Sequence, residues 1–573
     1  MDKGGTLMTD LVKFAPVYQA PQLNDEAVWA VGPFVTSLQA AVYSFRSILP
    51  PQLLGALFSR ASRAAGDLRE VLWSEYLGPI LYPKEETQEN LDFARELREV
   101  IQFYHDHPNP SYNTKRAYQF FAKWLAQYGD DSIAQMGSTN LVACGLSQPG
   151  IKFIEDQRVG LAPIEKSTRY VDFSRRTNGW FGYFTDPRLQ EWGFDGEYRT
   201  VMDGLFEVYT KSIPVLIARL QAQYPEEKTS VLEKKAFDEL RGFLPMATLS
   251  QVAFHGNAQA FQYLIVRCME HPLGELRWFA SLAREALDEE IPSLLLRLDD
   301  EATKEYAKEL QDRKERVATL ANEFFPAKAD SEPYVKPEVR LAEADPEGEN
   351  KVITGLLFPS LGPRYSWQEI LSQVRSWPDE RKKQVLDAHF AGRKARWQKV
   401  GRAFENAFVR FEITMNLGAY RDLHRHRMHT QDRQLFTAAL GYEMPSAIKE
   451  FGLEGAMREH MEALSVLFQK IEEKSPDVAQ YVPSLFHFVR FYQYQNAREF
   501  FWEVELRTGP QGRPDYRWIE QEKYRLLQEV WPLLMSYVLV DMNEYDLARR
   551  GTEERIAKKE KDLTKRLGDI AGS

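Results

Sequence analysis

Residues 420–430 read YRDLHRHRMHT, and their centre places Arg425, His426 and Arg427 in direct succession. Helical neighbours one or two positions apart do not share a face, so three such side chains fan around a helix end or a loop. A fan of this kind can surround an anion. Arginine offers a permanently charged planar fork, and histidine donates or accepts a hydrogen bond near neutral pH. Just upstream, the alternation in FVRFEI (408–413) predicts a half-buried strand.

A second stretch, EKSTRY at 165–170, sets Glu165, Ser167 and Arg169 on alternate positions. If the segment is extended, an acceptor, a hydroxyl and a guanidinium point the same way. Together the two stretches resemble the signature of the flavin-dependent thymidylate synthases: Arg-His-Arg, followed shortly by Glu or Gln, Ser, Arg and usually Tyr. Here the signature is split. The first half has Gln157-Arg158-Val159 where the triplet should stand, and the second half has Arg433, Leu435 and Thr437 where the acid, serine and arginine should stand. Two further segments correspond in order, RGFLPMATLSQVAFHGNAQAFQYLIVR (241–267) and YVPSLFHFVRFYQYQNAREFFWEVELR (481–507), which argues for internal duplication.

The reading is therefore a fused tandem of two diverged copies. Residues 1–75 are expected to form a helical leader, with helical periods at 39–49 and 53–72 separated by Pro50-Pro51. The first repeat spans 76–300 and includes a helix from Thr114 that stops at Gly129. A charged helix and a turn-rich linker occupy 301–350, the second repeat spans 351–540, and a charged helix closes the chain over 541–573. The fold class is α/β (α+β), and the resemblance implies a mixed sheet flanked by long helices in each repeat, the pair forming a pseudo-dimer.

The resemblance also implies the chemistry. Glu165, Ser167, Arg169 and Arg241 of the first repeat would hold the phosphate and ribose of dUMP. Arg425 of the second would face the uracil ring as the catalytic group, with Asp422 and Arg507 also on the nucleotide. His426, Arg427, Asn257, Asn496 and His271 would hold FAD, with NADPH and methylenetetrahydrofolate as co-substrates. One active site would be composed between the two repeats, and the chain would pair again as a homodimer of fused pseudo-dimers. Asp422 stands where the family commonly has Gln or Glu, so a flavoenzyme of the same fold acting on another pyrimidine nucleotide is an alternative. A catalytically silent nucleotide- or flavin-binding homologue is another.

Composition bounds these readings. At 573 residues the chain can bury large cores, and its 13% aromatic content argues against disorder. A net charge of -10 gives no global positive field for a nucleic acid polymer or an anionic membrane, so a bound phosphate requires a local cationic pocket. Two cysteines, Cys144 and Cys268, exclude a disulfide scaffold and a cysteine-rich metal site and point to a reducing, cytoplasmic setting. The longest apolar run, PLLMSYVLV at 532–540, falls well short of the ~20 residues a spanning helix needs, and the first residues lack a signal-peptide core.

Overall fold

Strands that run straight into capped helices set the plan of the chain. The computed structural model describes residues 10–107, 114–127, 131–325 and 332–545, together with 547, 555 and 558–563. Among these the strands are β1 (Val42–Tyr43), β2 (Ser138–Leu146), β3 (Leu161–Glu165), β4 (Arg176–Thr177), β5 (Trp180–Phe181), β6 (Ser250–Asn257), β7 (Glu338–Ala344), β8 (Phe408–Asn416), β9 (Thr430–Arg433) and β10 (Phe488–Asn496). At the end of β2, β6, β8 and β10 a side chain caps the next helix. Ser147 accepts from the Gly150 amide at 3.2 Å, Asn257 from Ala260 at 2.9 Å, Asn416 from Ala419 at 2.7 Å and Asn496 from Glu499 at 3.0 Å. Each cap satisfies an otherwise orphaned helix donor and is worth about 1 kcal/mol.

The strands form two four-stranded antiparallel sheets, β1-β2-β6-β3 and β7-β8-β10-β9, with β4 and β5 as a separate hairpin. The order is the same in both, and so is the register. Asn257 faces Ser138 and Val252 faces Glu165 in the first sheet, while Asn496 faces Phe408 and Phe491 faces Arg433 in the second. The duplication read from the sequence is thus present in the backbone, and Glu165 and Arg433 are equivalent positions. Strand β8 alternates in burial as its sequence predicts, with Val409, Phe411 and Ile413 inward.

The chain divides into two compact units, neither of them continuous. One comprises Met1–Ser212, Leu240–Glu332 and Leu453–Ser484, and the other Ile213–Glu239, Pro333–Gly452 and Leu485–Ser573. In the first unit Phe45, Leu57 and Phe58 pack with Val142 and Cys144 of β2 and Ala253 of β6. In the second, Phe411 stacks on Phe500 at 6.1 Å and Phe404 meets Phe501 edge-on at 5.3 Å. Trp531 of this unit is fully buried, donates its indole N–H to the Asp345 carbonyl at 2.8 Å, and packs closely against Gly348.

Several sequence expectations change. Residues 39–49 are not helical, because Val42 and Tyr43 pair with Ala143 and Val142 as an edge strand, and this tertiary pairing overrides the local period. The helical period at 53–72 is broken. The helix Pro51–Ala61 ends, and Asp67 opens a new one through a reciprocal capping box with Glu70. The charged helix is present as Glu301–Phe324, but the linker beyond it contributes β7 to the second sheet. The helix from Thr114 is present over Thr114–Phe121, while its stop at Gly129 lies outside the described residues. Of the expected closing helix, residues 541–545 have no regular structure, 558–563 are helical and most of the rest lies outside the described residues.

Candidate functional site

The triplet sits where a helix runs out. The helix Leu417–Leu423 ends on His424, whose amide donates to the Tyr420 carbonyl at 2.8 Å, and Arg425 to Arg427 follow in the turn before β9. The side chains fan as the spacing requires: Arg425 and Arg427 are exposed, and His426 is buried. Asp422 is buried on the same short helix.

His426 is gripped by the helix Ala497–Arg507. On that helix Glu499, Glu503 and Arg507 recur every fourth residue and share one face. Arg507 donates Nε–H to His426 Nε2 at 2.8 Å, and His426 Nδ1 lies 3.1 Å from Glu499 Oε1. A guanidinium only donates, so Nε2 is the accepting nitrogen and the neutral ring carries its proton on Nδ1, toward Glu499. Burial, reinforced by the Arg507 charge, holds the imidazole well below its usual pKa. Burial and the charge on Glu503 push Glu499 up to about 8.

Beneath His426 lies a fully buried ionic cluster. Lys523, on the helix Pro514–Gln528, donates to Glu503 at 2.8 Å, to Gln493 at 2.9 Å and to Glu520 at 3.1 Å. Burial raises Glu503, yet Lys523 outweighs it and keeps this carboxyl below the usual range, whereas burial and Glu503 push Glu520 up to about 8. The cluster therefore balances as one lysine cation, one carboxylate and one protonated acid. That is the arrangement a buried site tolerates best.

Beside it opens a cavity of about 250 Å³ lined by Arg396, Lys399, Met428, Asn496, Arg498 and Trp502 among others. The Lys399 ammonium stands 3.0 Å above the Trp502 ring centre and the Arg396 guanidinium 5.2 Å from it. Arg498 pairs with Glu405. Desolvation and the Arg396 charge lower the Lys399 pKa. Arg393, Arg396, Lys399 and Arg498 line the cavity against Glu405 and Glu499, so its basic groups outnumber its acids.

The residues expected at the nucleotide phosphate, Glu165, Ser167, Arg169 and Arg241, belong to the first unit. Glu165 ends β3 fully buried, 3.0 Å from the Lys152 ammonium, which also meets Glu155 at 2.5 Å. The extended run expected through Arg169 stops there. Residues 168–170 turn, with the Ser167 hydroxyl accepting from the Arg169 amide at 3.2 Å and the Ser167 carbonyl from the Tyr170 amide at 3.2 Å. Alternation therefore places Glu165 but not Ser167 and Arg169, because a serine hydroxyl closes this turn on the backbone. Arg169 and Arg241 are both buried. In the first repeat the triplet's counterpart also departs in backbone, with Arg158 at φ 57°.

The asparagines assigned to flavin, Asn257 and Asn496, both serve as helix caps, and each also lines a cavity of its own unit. His271 is buried edge-on to Phe153 at 4.2 Å, and its Nδ1 accepts from the Leu273 amide at 3.1 Å. Sequence reading passed over Glu499, Glu503 and Lys523. The four-residue spacing of two acids and Arg507 on an otherwise aromatic helix face was the available signal.

A family model described as thymidylate synthase complementing protein matches residues 81–293 and 364–533. A UPF0159 protein of Chlamydia muridarum is 32% identical over 535 residues, covering 91% of this chain and 96% of its own length. One of Thermoplasma acidophilum is 28% identical over 539 residues, covering 87% and 98%. A solved UMP/dUMP methylase of Streptomyces cacaoi, bound with 5-Br dUMP, is similar at 13% identity over 37% of this chain and 99% of its own, with a TM-score of 0.30.

Proposed function

Because the chain belongs to the family of thymidylate synthase complementing proteins, matched over both repeats, we propose that it methylates dUMP to dTMP as a flavin-dependent thymidylate synthase. Methylenetetrahydrofolate is the carbon donor and NADPH the reductant in this reading. The observation that carries it is the shared register of the two sheets. Glu165 and Arg433 are equivalent positions, so the repeat that keeps the phosphate-side Glu165, Ser167 and Arg169 is the one that has lost the triplet, and the other keeps Arg425-His426-Arg427. Random decay would not sort the surviving groups by the task each serves.

In this reading Arg169, Arg241 and the Ser167 hydroxyl hold the nucleotide phosphate by charge-assisted hydrogen bonds, and Glu165, fixed by Lys152, accepts from the ribose. Arg425 stabilises the negative charge that develops on the uracil ring. Arg507 serves the same nucleotide and fixes His426 on the flavin side with Arg427. Arg396, Lys399, Asn496 and Arg498 form a donor set that fits the phosphate-bearing part of a dinucleotide such as FAD. When bound, FAD reduced by NADPH supplies the hydride.

Tritium release from 5-tritiated dUMP by protein supplied with FAD, NADPH and methylenetetrahydrofolate tests the proposal, beside Arg425→Ala. Release that the substitution abolishes supports it; a protein that binds FAD yet releases no tritium overturns it. The buried, shorter acid Asp422 favours a second reading, a flavoenzyme of the same fold acting on another pyrimidine nucleotide. Methylated product from dCMP but not dUMP would select it. By the same family resemblance the fused chain pairs as a homodimer, a mass that sedimentation reads directly.

A further inference from the structure

The first unit holds a cavity of about 410 Å³ that uses none of the residues assigned to the nucleotide or the flavin. Its walls are leader residues 17–22 and 65–67, Lys166 after β3, the segment 171–177 and the start of β6. The acids on these walls are already engaged. Asp67 takes two hydrogen bonds from the Arg69 guanidinium at 2.9 Å each and one from the Tyr43 hydroxyl at 2.9 Å. Glu70 accepts from the Asp67 amide at 3.0 Å, and Asp172 accepts from Ser174 at 2.8 and 2.7 Å.

The donors are not used up. Gln251 is 5% exposed; its Oε1 lies 3.4 Å from the Cys144 thiol, whose single proton is shared with Asp67 Oδ2 at 3.3 Å, and its Nε2 has no hydrogen-bond partner. A buried amide group without an acceptor is costly to keep and needs an explanation. Lys166 spends one of its three donors on the Ala65 carbonyl at 2.9 Å. Arg175 stands exposed at the mouth, near enough to Lys166 for their charges to repel. Two cations and an orphaned amide N–H thus face one space, in which Arg69 neutralises Asp67, while Glu70 and Asp172 keep their charge but spend oxygens on other donors.

We propose that this cavity binds a small oxyanion-bearing molecule, a carboxylate or a phosphate, held by Lys166 Nζ, Arg175 and Gln251 Nε2. The apolar wall of Val17, Pro21 and Phe173 gives room for a short carbon skeleton behind the anionic group.

Isothermal titration calorimetry of the full chain saturated with dUMP, which occupies the phosphate clamp of Ser167, Arg169 and Arg241, with inorganic phosphate and, separately, succinate tests this. One probe should bind saturably, and Arg175→Ala and Lys166→Met should each weaken it by about tenfold, as loss of one charge-assisted hydrogen bond predicts. Gln251→Leu should weaken it as well, while Arg425→Ala should leave it unchanged. The probe that binds identifies the anion class. Arg175 is exposed, so its variant keeps the fold even if the two more buried substitutions do not. Absence of binding by both probes, or equal affinity in wild type and Arg175→Ala, overturns the proposal.

Discussion

Arg507 Nε donates to His426 Nε2 at 2.8 Å, and this single bond decides the protonation of the triplet's histidine. With Nε2 accepting, the ring is neutral and its proton points at Glu499 Oε1, 3.1 Å away. Glu499 and Arg507 lie on one face of one helix, so the imidazole is clamped at both nitrogens by a single rigid element, while Arg425 and Arg427 on either side stay exposed.

Stability should report this state through pH. The folded pKa of His426 is depressed, so the unfolded chain binds more protons at mildly acidic pH. Its contribution is complete above the unfolded value of about 6.5 and is lost as pH falls below it, by about 1 kcal/mol between pH 6.5 and about pH 5.5. Urea midpoints of wild type and His426→Gln should converge on going from pH 7.5 to about pH 5.5. A constant difference between them would mean the ring is not held neutral.

The buried acid Glu275 should act with the opposite sign. It is 1% exposed, accepts from the Ser147 hydroxyl and from the Tyr481 hydroxyl at 3.0 Å, and burial pushes it up to about 7. A raised carboxyl contributes stability fully below its unfolded pKa of about 4.3 and loses it as pH rises through the folded value. Relative to Glu275→Gln, wild type should lose about 3 kcal/mol between pH 4.5 and about pH 8, read from denaturation midpoints.

Legibility in the sequence differs from element to element. The triplet at a helix end followed from three charged neighbours that cannot share a face, and β8 followed from its alternation. Both are local signals. The two-residue strand β1 is too short to show a period, and only its pairing with Ala143 and Val142 makes it a strand. Ser167 and Arg169 read as extended because their hydroxyl-to-amide bond is invisible in composition. Lys523 and Glu520 look like solvated helix charges, and only packing against Glu503 and Phe411 reveals a buried cluster.

A close approach in the second unit gives a test of packing. A Cβ on Gly348 would stand 2.5 Å from the Trp531 ring, which is fully buried and tied to Asp345. Gly348→Ala gains helix propensity but overpacks this contact, and the net cost should be about 1–3 kcal/mol in a denaturant titration. Combined with Trp531→Phe, the cost should fall below the sum of the two single effects, because the smaller ring removes the clash.

Kinetics should separate the two sets of proposed nucleotide residues. Arg169 is buried in the first unit and Arg425 is exposed in the second, so loss of fold is no explanation for a defect in the Arg425 variant. If Arg169 holds the phosphate in ground and transition states alike, Arg169→Ala should raise KM for dUMP about tenfold or more with little change in kcat. If Arg425 meets charge that appears only during reaction, Arg425→Ala should lower kcat by about 10²–10³. Tritium release measured across a dUMP series yields both constants. Mixing the two variant proteins then asks how the sets are paired: restored activity requires that one nucleotide draw its residues from different chains, and no restoration places both sets on the same chain.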